Sequence, residues 1–193
     1  RESPAPGGGS IAALAGALGS SLQSMVANLS SSNRGSEETD KILWNAAEKA
    51  QDIKNKLLKA VDEDTNAFND FMIAKRLPAK TTDEKSIRHK AMQDGLKHAV
   101  NVPLSTAKLS FEVIEISSTV IEYGNPNSIT DVGVGAQMAY SGVVGGIYNV
   151  LINLGQIEDA EFVNQMKLNC NELGKKAKDL LNQIDKKVML KIG

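Results

Sequence analysis

The segment PAPGGGSIAALAGALGSSLQSMVANL, residues 4–29, joins three glycines to a long run of small residues. Ala12, Gly16, Ser20 and Ser24 recur at every fourth position, so a helix places them on one face. Small residues on one face let a second helix approach closely. The segment is nearly long enough to cross a bilayer, but it carries polar side chains and no flanking aromatic belt. It therefore predicts a core helix of a bundle, and we expect no membrane partner.

The rest of the chain shows helical periodicity and no alternating strand pattern. Pro78 ends the second helical pattern, and Thr81 with Glu84 is typical of a capping box. Pro103 predicts a break or a kink, with a further helix beginning there. The predicted helices cover about residues 10–29, 37–76, 81–100, 103–124, 131–155 and 158–188. Six helices with short connections predict an all-α helical bundle in a single domain, residues 1–193. Its start directly before the glycines suggests a segment cut from a longer chain.

Composition argues against several classes of partner and cofactor. The 193 residues carry 22 Lys and Arg against 23 Asp and Glu, with 4% aromatics, so no nucleic-acid partner is expected. Cys170 is the one cysteine, which favours a reducing, cytoplasmic location, and its surroundings predict an inert thiol. His89 and His98 have no acidic or cysteine partner at metal spacing, so we expect no metal site.

The glycine run is the first candidate site. Gly7, Gly8 and Gly9 precede Ser10, a residue that can cap the first helix. Free backbone amides there, together with the positive end of the helix dipole, suit an anion or a carbonyl group. The run lacks the lysine of a P-loop and no strand precedes it, so by itself it is a weak signal.

A carboxylate interrupts an apolar stripe on the second helix. The stripe has spacings of 4, 3, 4, 3 and 4 residues and comprises Leu57, Val61, Asp64, Phe68, Phe71 and Lys75. Asp64 is therefore expected to be partly removed from water and suited to proton transfer, whereas Asp62 lies far round the helix. The alternative is a structural Asp64 that bonds to a neighbouring helix.

The third candidate site lies on the predicted helix 131–155, where one face combines glycines with polar residues. It comprises Asp131, Gly135, Met138, Gly142, Gly145, Asn149 and Asn153. Glycines inside a helix destabilise it by up to ~1 kcal/mol each, so close packing or a bound ligand must account for them. Buried asparagines need hydrogen-bond partners. The face is therefore either a satisfied polar network or a binding site, and the residues alone do not decide between them.

Five collinear segments together resemble one family. Besides the opening segment they are VDEDTNAFNDFM, RLPAKTTDEK, AVNVPL and GNPNSITDVGVGAQMAYSGVVGGIYNVLIN, which run in order to about Phe162. They are similar to the cyclodeaminase family of formimidoyltetrahydrofolate cyclodeaminases and methenyltetrahydrofolate cyclohydrolases. The resemblance implies a helical, homodimeric, cytoplasmic enzyme of one-carbon metabolism and histidine degradation. It also implies no bound cofactor beyond a tetrahydrofolate substrate, and a fused or associated formimidoyltransferase.

The family's motifs fall on residues that the patterns above single out. By resemblance, Asp64 is the catalytic residue, and the substrate-binding residues are Gly7, Gly8, Gly9, Ser10, Phe68, Asp131, Gly135, Asn149 and Asn153. The chain departs from the family at the turn after the first helix, where Arg34 is the one cation in place of a basic cluster.

The implied reaction closes a ring on the folate. N10 of 5-formimidoyltetrahydrofolate attacks the formimidoyl carbon and ammonia leaves, with Asp64 moving the proton. Two alternatives remain open. A cyclohydrolase would use the same carboxyl to activate water against the methenyl carbon. A non-catalytic interaction module would have a packed, satisfied polar stripe and no cavity beside Asp64.

Overall fold

The computed structural model describes residues 7–31 and 36–193, and these ranges contain helices and no strand. The helices are α1 Gly8–Ser30, α2 Glu37–Lys75, α3 Thr82–Tyr123, α4 Ile129–Asn153 and α5 Ala160–Ile192. Short 3-10 turns at Pro126–Ser128 and Leu154–Gln156 flank α4. The all-α prediction is confirmed. The polar turn predicted after α1 lies partly outside the described residues. Arg34 belongs to the part that is outside them.

The predicted break at Pro103 is wrong, and this accounts for five long helices in place of six. α3 runs through Pro103 without interruption over 42 residues. Proline has no N–H, so it leaves the carbonyl of Ala99 without its helical donor. The side chain of Asn153 supplies that donor, with Nδ2 lying 2.8 Å from the Ala99 oxygen. A contact from α4 thus offsets part of the cost of a proline inside α3.

The helix starts follow local sequence signals. Ser36 accepts a hydrogen bond from the amide of Thr39 at the start of α2. At the start of α3 the Thr81 hydroxyl accepts from the Glu84 amide and the Glu84 carboxylate accepts from the Thr81 amide, as the capping-box spacing predicts. Bonds of this kind satisfy amides that the first helical turn leaves without partners.

α1 packs between α2 and α4 and also contacts α3, so it is the central helix of the bundle. Its small residues lie close to neighbouring backbone: a Cβ added to Gly19 would be 2.5 Å from the carbonyl oxygen of Gly135. The hydroxyls of Ser20 and Ser24 donate to carbonyls of α2, at 2.6 Å to Ala50 and 3.2 Å to Ala47. The predicted close approach is therefore present on two sides of α1.

By length and composition, α1 is also the one helix within the described ranges that could cross a membrane. Of its most apolar 18-residue window, 61% is buried inside the bundle. Burial to this degree is what the core helix of a folded domain shows.

The buried apolar side chains form two clusters. The larger one, around Leu57, Ile114 and Ile184, includes residues of every long helix. The smaller one joins Val100, Val150 and Cys170 with their neighbours, and Phe71 packs against it. This second cluster supports the end of the bundle at which the candidate site lies.

Candidate active site

A cavity of about 260 Å³ opens where the start of α1 meets α2, α3 and the end of α4. Its lining combines backbone amides, one carboxylate, two side-chain amides and apolar side chains. The lining residues are Gly7, Gly8, Asp64, Thr65, Ala67, Phe68, Phe71, Leu96, Ala99, Asn149, Asn153 and Gln156. Six of the ten predicted site residues therefore meet at one cavity, although they come from three separate segments of the chain.

The carboxylate of Asp64 faces the first turn of α1. Its Oδ2 accepts a hydrogen bond from the Ser10 amide at 3.0 Å, and the Ser10 hydroxyl lies 3.2 Å from the same oxygen. That hydroxyl also lies 2.9 Å from the carbonyl oxygen of Val61, one turn before Asp64 on α2. Ser10 is almost fully buried, so this contact fixes the carboxylate against the positive end of the α1 dipole.

The glycine run has a steric reason to contain glycine. A Cβ added to Gly9 would overlap the carboxylate of Asp64, and one added to Gly8 would lie 3.3 Å from Nδ2 of Asn149. Only a residue without a side chain lets the start of α1 approach both groups this closely. The glycines are thus needed to assemble the polar side of the cavity.

Asp64 and Asp62 differ in their surroundings as the stripe predicts. Asp64 is half-buried and lines the cavity, whereas Asp62 is exposed on another face of α2. The structure shows the contact that the structural interpretation of Asp64 requires, and it also places Asp64 at a cavity. Asp64 bonds to a neighbouring helix, and it also borders a space large enough for part of a ligand.

Two asparagines one helical turn apart on α4 also line the cavity. Nδ2 of Asn149 donates to the carbonyl oxygen of Gly145 at 2.8 Å, and Nδ2 of Asn153 donates to that of Ala99 at 2.8 Å. Both side chains are half-buried. Bonds to backbone carbonyls hold each amide in one orientation.

The remaining wall is apolar. Phe71 and Leu96 lie on facing helices, and Leu96 is 5% exposed. Phe68 is 45% exposed, which places its ring at the mouth of the cavity. A flat ligand could contact such aromatic and aliphatic side chains on one side and the polar wall on the other.

Asp131 and Gly135 are not part of this cavity. Asn149 follows Asp131 by 18 residues, about 27 Å of helix. Gly135 packs on α1, where an added Cβ would overlap the side chain of Gln23. Gly145 likewise packs on Ala12 of α1. The α4 face is therefore divided: its glycines serve helix packing, and its last two asparagines line the cavity.

Several lining residues escaped the sequence analysis. Leu96, Ala99 and Gln156 belong to segments whose local pattern is that of an ordinary amphipathic helix or turn. Pro103 does not line the cavity, but it leaves the Ala99 carbonyl free to accept from Asn153. Their participation depends on which helices pack together, which the local sequence does not encode.

The described residues contain no group of three His, Cys, Asp or Glu side chains placed to hold a metal ion. Cys170 is 1% exposed in the smaller apolar cluster, and burial raises the pKa of its thiol. A buried thiol of raised pKa has little of the nucleophilic thiolate form.

A small, partly polar cavity between the helices of a bundle is the kind of place where proteins commonly bind small organic molecules. Comparison with known proteins narrows the class. The chain belongs to the formiminotransferase-cyclodeaminase family, whose model matches residues 1–172.

The named relatives have two kinds of activity. A methenyltetrahydrofolate cyclohydrolase from Methylorubrum extorquens is 36% identical over 85% of this chain and 79% of its own length. A formimidoyltransferase-cyclodeaminase from Gallus gallus is 37% identical over 92% of this chain, and the one from Rattus norvegicus is 34% identical over the same share. The chain spans 33% of the length of each of these two bifunctional relatives.

The fold has a counterpart among solved structures. A formiminotetrahydrofolate cyclodeaminase from Thermotoga maritima superimposes with a TM-score of 0.88, covering 100% of this chain and 92% of that one. The sequences are 24% identical, so this likeness supports the arrangement of the helices.

Proposed function

We propose that the chain converts 5-formimidoyltetrahydrofolate to 5,10-methenyltetrahydrofolate and releases ammonia. The observation that carries the proposal is the Asp64 carboxylate, held by the Ser10 amide on the wall of a cavity that also offers aromatic and amide contacts. Family membership and the names of the bifunctional relatives support the choice of a folate substrate.

The reaction needs one proton to move from one nitrogen to another. With the formimidoyl group bound as its amidinium, the lone pair of N10 attacks the formimidoyl carbon, and N10 becomes positively charged while it still carries its own proton. Asp64 takes that proton and delivers it to the former imino nitrogen, so that the C–N bond breaks and ammonia leaves. The ionised carboxylate that completes the cycle also stabilises the cationic methenyl product. A single carboxyl group is therefore sufficient, and no bound cofactor takes part in this scheme.

A cyclohydrolase is the second candidate, and the Methylorubrum extorquens relative favours it. In that reaction water attacks the methenyl carbon, and Asp64 accepts a proton from the water. The third reading, a non-catalytic interaction module, requires a packed stripe without a cavity beside Asp64. The cavity of about 260 Å³ argues against it.

The two enzymatic candidates are separated by supplying each substrate to the purified protein. With 5-formimidoyltetrahydrofolate, we expect methenyltetrahydrofolate absorbance to rise together with an equal amount of free ammonia. Loss of absorbance from added 5,10-methenyltetrahydrofolate, with no ammonia from the formimidoyl substrate, would instead establish the cyclohydrolase. Binding of neither folate would contradict both.

We also propose a homodimer formed through the outer face of α1. This face lacks charge and carries exposed apolar side chains at helical spacing, namely Ile11, Leu14, Leu18, Met25 and Leu29. Since α1 has no charged residue, a second copy placed on this face brings no like charges together. Stable dimers bury roughly 800 Å² per partner, an area that one long helix face with its flanking helices can supply.

The dimer proposal is tested by a charge on that face. Leu18→Glu is expected to convert a dimer to a monomer in sedimentation equilibrium. Leu168→Glu changes a leucine on α5 that is exposed to a similar degree as Leu18, and it should leave the mass in sedimentation equilibrium unchanged. A wild-type monomer at micromolar concentration would contradict the proposal.

Two further proposals concern a partner enzyme and the cellular location. The bifunctional relatives support a formimidoyltransferase that is fused to this chain or associated with it. A tetrahydrofolate substrate and a reduced Cys170 both suit the cytoplasm. Fractionation of the source cells, with detection of the transferase in the same complex, tests both.

A further inference from the structure

The oxygen atoms of Asn149 and Asn153 form a pair of acceptors at the cavity. Each Nδ2 is engaged with a backbone carbonyl at 2.8 Å. Among the residues that the structure describes, no protein group donates to either Oδ1. Both residues line the cavity and are half-buried. A ligand there therefore has two amide oxygens as candidate acceptors, each held in one orientation by the bond of its Nδ2.

The orientation of Asn153 depends on Pro103. In an uninterrupted helix the N–H of residue 103 would donate to the carbonyl of Ala99. Proline has no N–H, so that carbonyl is left for the Nδ2 of Asn153, and the amide oxygen is directed away from it. Gly146 brings α4 against this part of α3, because an added Cβ there would lie 2.7 Å from the carbonyl oxygen of Pro103. The two helices are thus close enough for the contact to be direct.

We propose that Asn153 is a specificity-determining residue whose Oδ1, with that of Asn149, accepts hydrogen bonds from the donor edge of the pterin ring. Pro103 is the positioning residue that sets the Asn153 amide. This inference rests on the proposed folate substrate. The 2-amino group and ring N–H groups of a tetrahydropterin are donors, which two amide oxygens match and two amide N–H groups would not.

A purely structural role for Asn153 makes a different prediction. If Asn153 serves only to satisfy the Ala99 carbonyl, then Pro103→Ala restores the helical donor and makes Asn153 dispensable. The double variant Pro103→Ala with Asn153→Ala would then bind ligands like the wild type. In our proposal that double variant still lacks the acceptor.

The experiment measures binding of two probes by calorimetry: 5-formyltetrahydrofolate and its analogue with a methyl group in place of the 2-amino group. The wild type should bind the amino compound roughly tenfold or more tightly, because the analogue covers the two acceptors and gives them no donor. Asn153→Ala, alone or with Pro103→Ala, should bind the two probes within about twofold of each other. Asn164→Ala, an exposed asparagine on α5, should keep the wild-type ratio.

Pro103→Ala alone is the test of positioning. Its melting temperature should equal or exceed that of the wild type, since alanine suits a helix interior better than proline. Its preference for the amino compound should nevertheless fall. Full preference in Pro103→Ala would overturn the positioning role, and full preference in Asn153→Ala would overturn the acceptor role. Failure of the wild type to bind 5-formyltetrahydrofolate would overturn the folate proposal itself, together with this inference.

Discussion

The amide of Ser10, in the first turn of α1, donates a 3.0 Å hydrogen bond to the carboxylate of Asp64, 54 residues later in α2. The contact joins the start of the central helix to the middle of its neighbour. It forms only because Gly9 has no side chain in the space that the carboxylate occupies. The position of the candidate catalytic group therefore depends on the absence of a side chain at Gly9.

Gly9→Ala tests this steric requirement. The added methyl group overlaps the Asp64 carboxylate, so the carboxylate or the start of α1 must move. A displacement of about 1 Å at a reacting group costs roughly 10²-fold in rate, and we expect turnover to fall by about that factor. The measurement is steady-state turnover of the formimidoyl substrate.

Gly174→Ala is the matched control for Gly9→Ala. Its added Cβ would contact only the end of the Ile147 side chain, at 3.3 Å. We expect Gly174→Ala to have normal turnover and Gly9→Ala to have strongly reduced turnover. Equal turnover in the two variants would show that Gly9 has no special role.

Gly19→Ala tests the packing of α1 on α4. Its Cβ would lie 2.5 Å from the Gly135 carbonyl oxygen and 2.9 Å from the Ala139 amide, which are backbone atoms that cannot rotate away. Overpacking of this kind typically costs about 1–3 kcal/mol in the free energy of unfolding. Urea denaturation should show a lowered midpoint.

Gly155→Ala, where nothing lies within 4 Å of an added Cβ, serves as the reference for that measurement. Its free energy of unfolding should change by less than about 0.5 kcal/mol. A midpoint for Gly19→Ala as high as that of Gly155→Ala would contradict the close approach of the two helices.

Cys170 gives a reporter for the smaller apolar cluster. Because burial raises the pKa of its thiol, the thiolate fraction at neutral pH is lower than for an exposed cysteine. A disulfide reagent such as Ellman's reagent should react slowly with the folded protein and rapidly in denaturant. Cys170→Ala gives the background rate. Equally fast reaction in the folded state would show that this end of the bundle is open.

Local sequence signals predicted the elements that depend on neighbouring residues. The capping box of Thr81 and Glu84 starts α3, and the stripe containing Asp64 correctly made it more buried than Asp62. Small residues at every fourth position correctly indicated the close packing of α1. Each of these properties is fixed within a few turns of one helix.

The properties that sequence reasoning missed depend on contacts between distant segments. α3 continues through Pro103, and Asn153, 50 residues later, donates to the carbonyl that proline leaves unpaired. Gly135 and Asn149 share one predicted face, yet α1 covers the first and the cavity borders the second. A helical repeat identifies a face, but only the packed structure shows which neighbour covers each part of it.

The central claim is that Asp64 moves the proton in ring closure. Asp64→Asn keeps the shape and can still accept the Ser10 amide, but it cannot transfer a proton. General acid–base catalysis contributes typically 10²–10⁴-fold, about 3–5 kcal/mol of barrier. Asp62→Asn, on the exposed face, is the matched control and should keep most of its turnover.

The most direct measurement compares the initial rate of methenyltetrahydrofolate formation in these two variants, with folate binding and melting temperature recorded for each. We predict that Asp64→Asn loses turnover by roughly 10²–10⁴-fold while it still folds and binds 5-formyltetrahydrofolate. Near-normal turnover in folded Asp64→Asn, or inactivity confined to Asp62→Asn, would contradict the assignment.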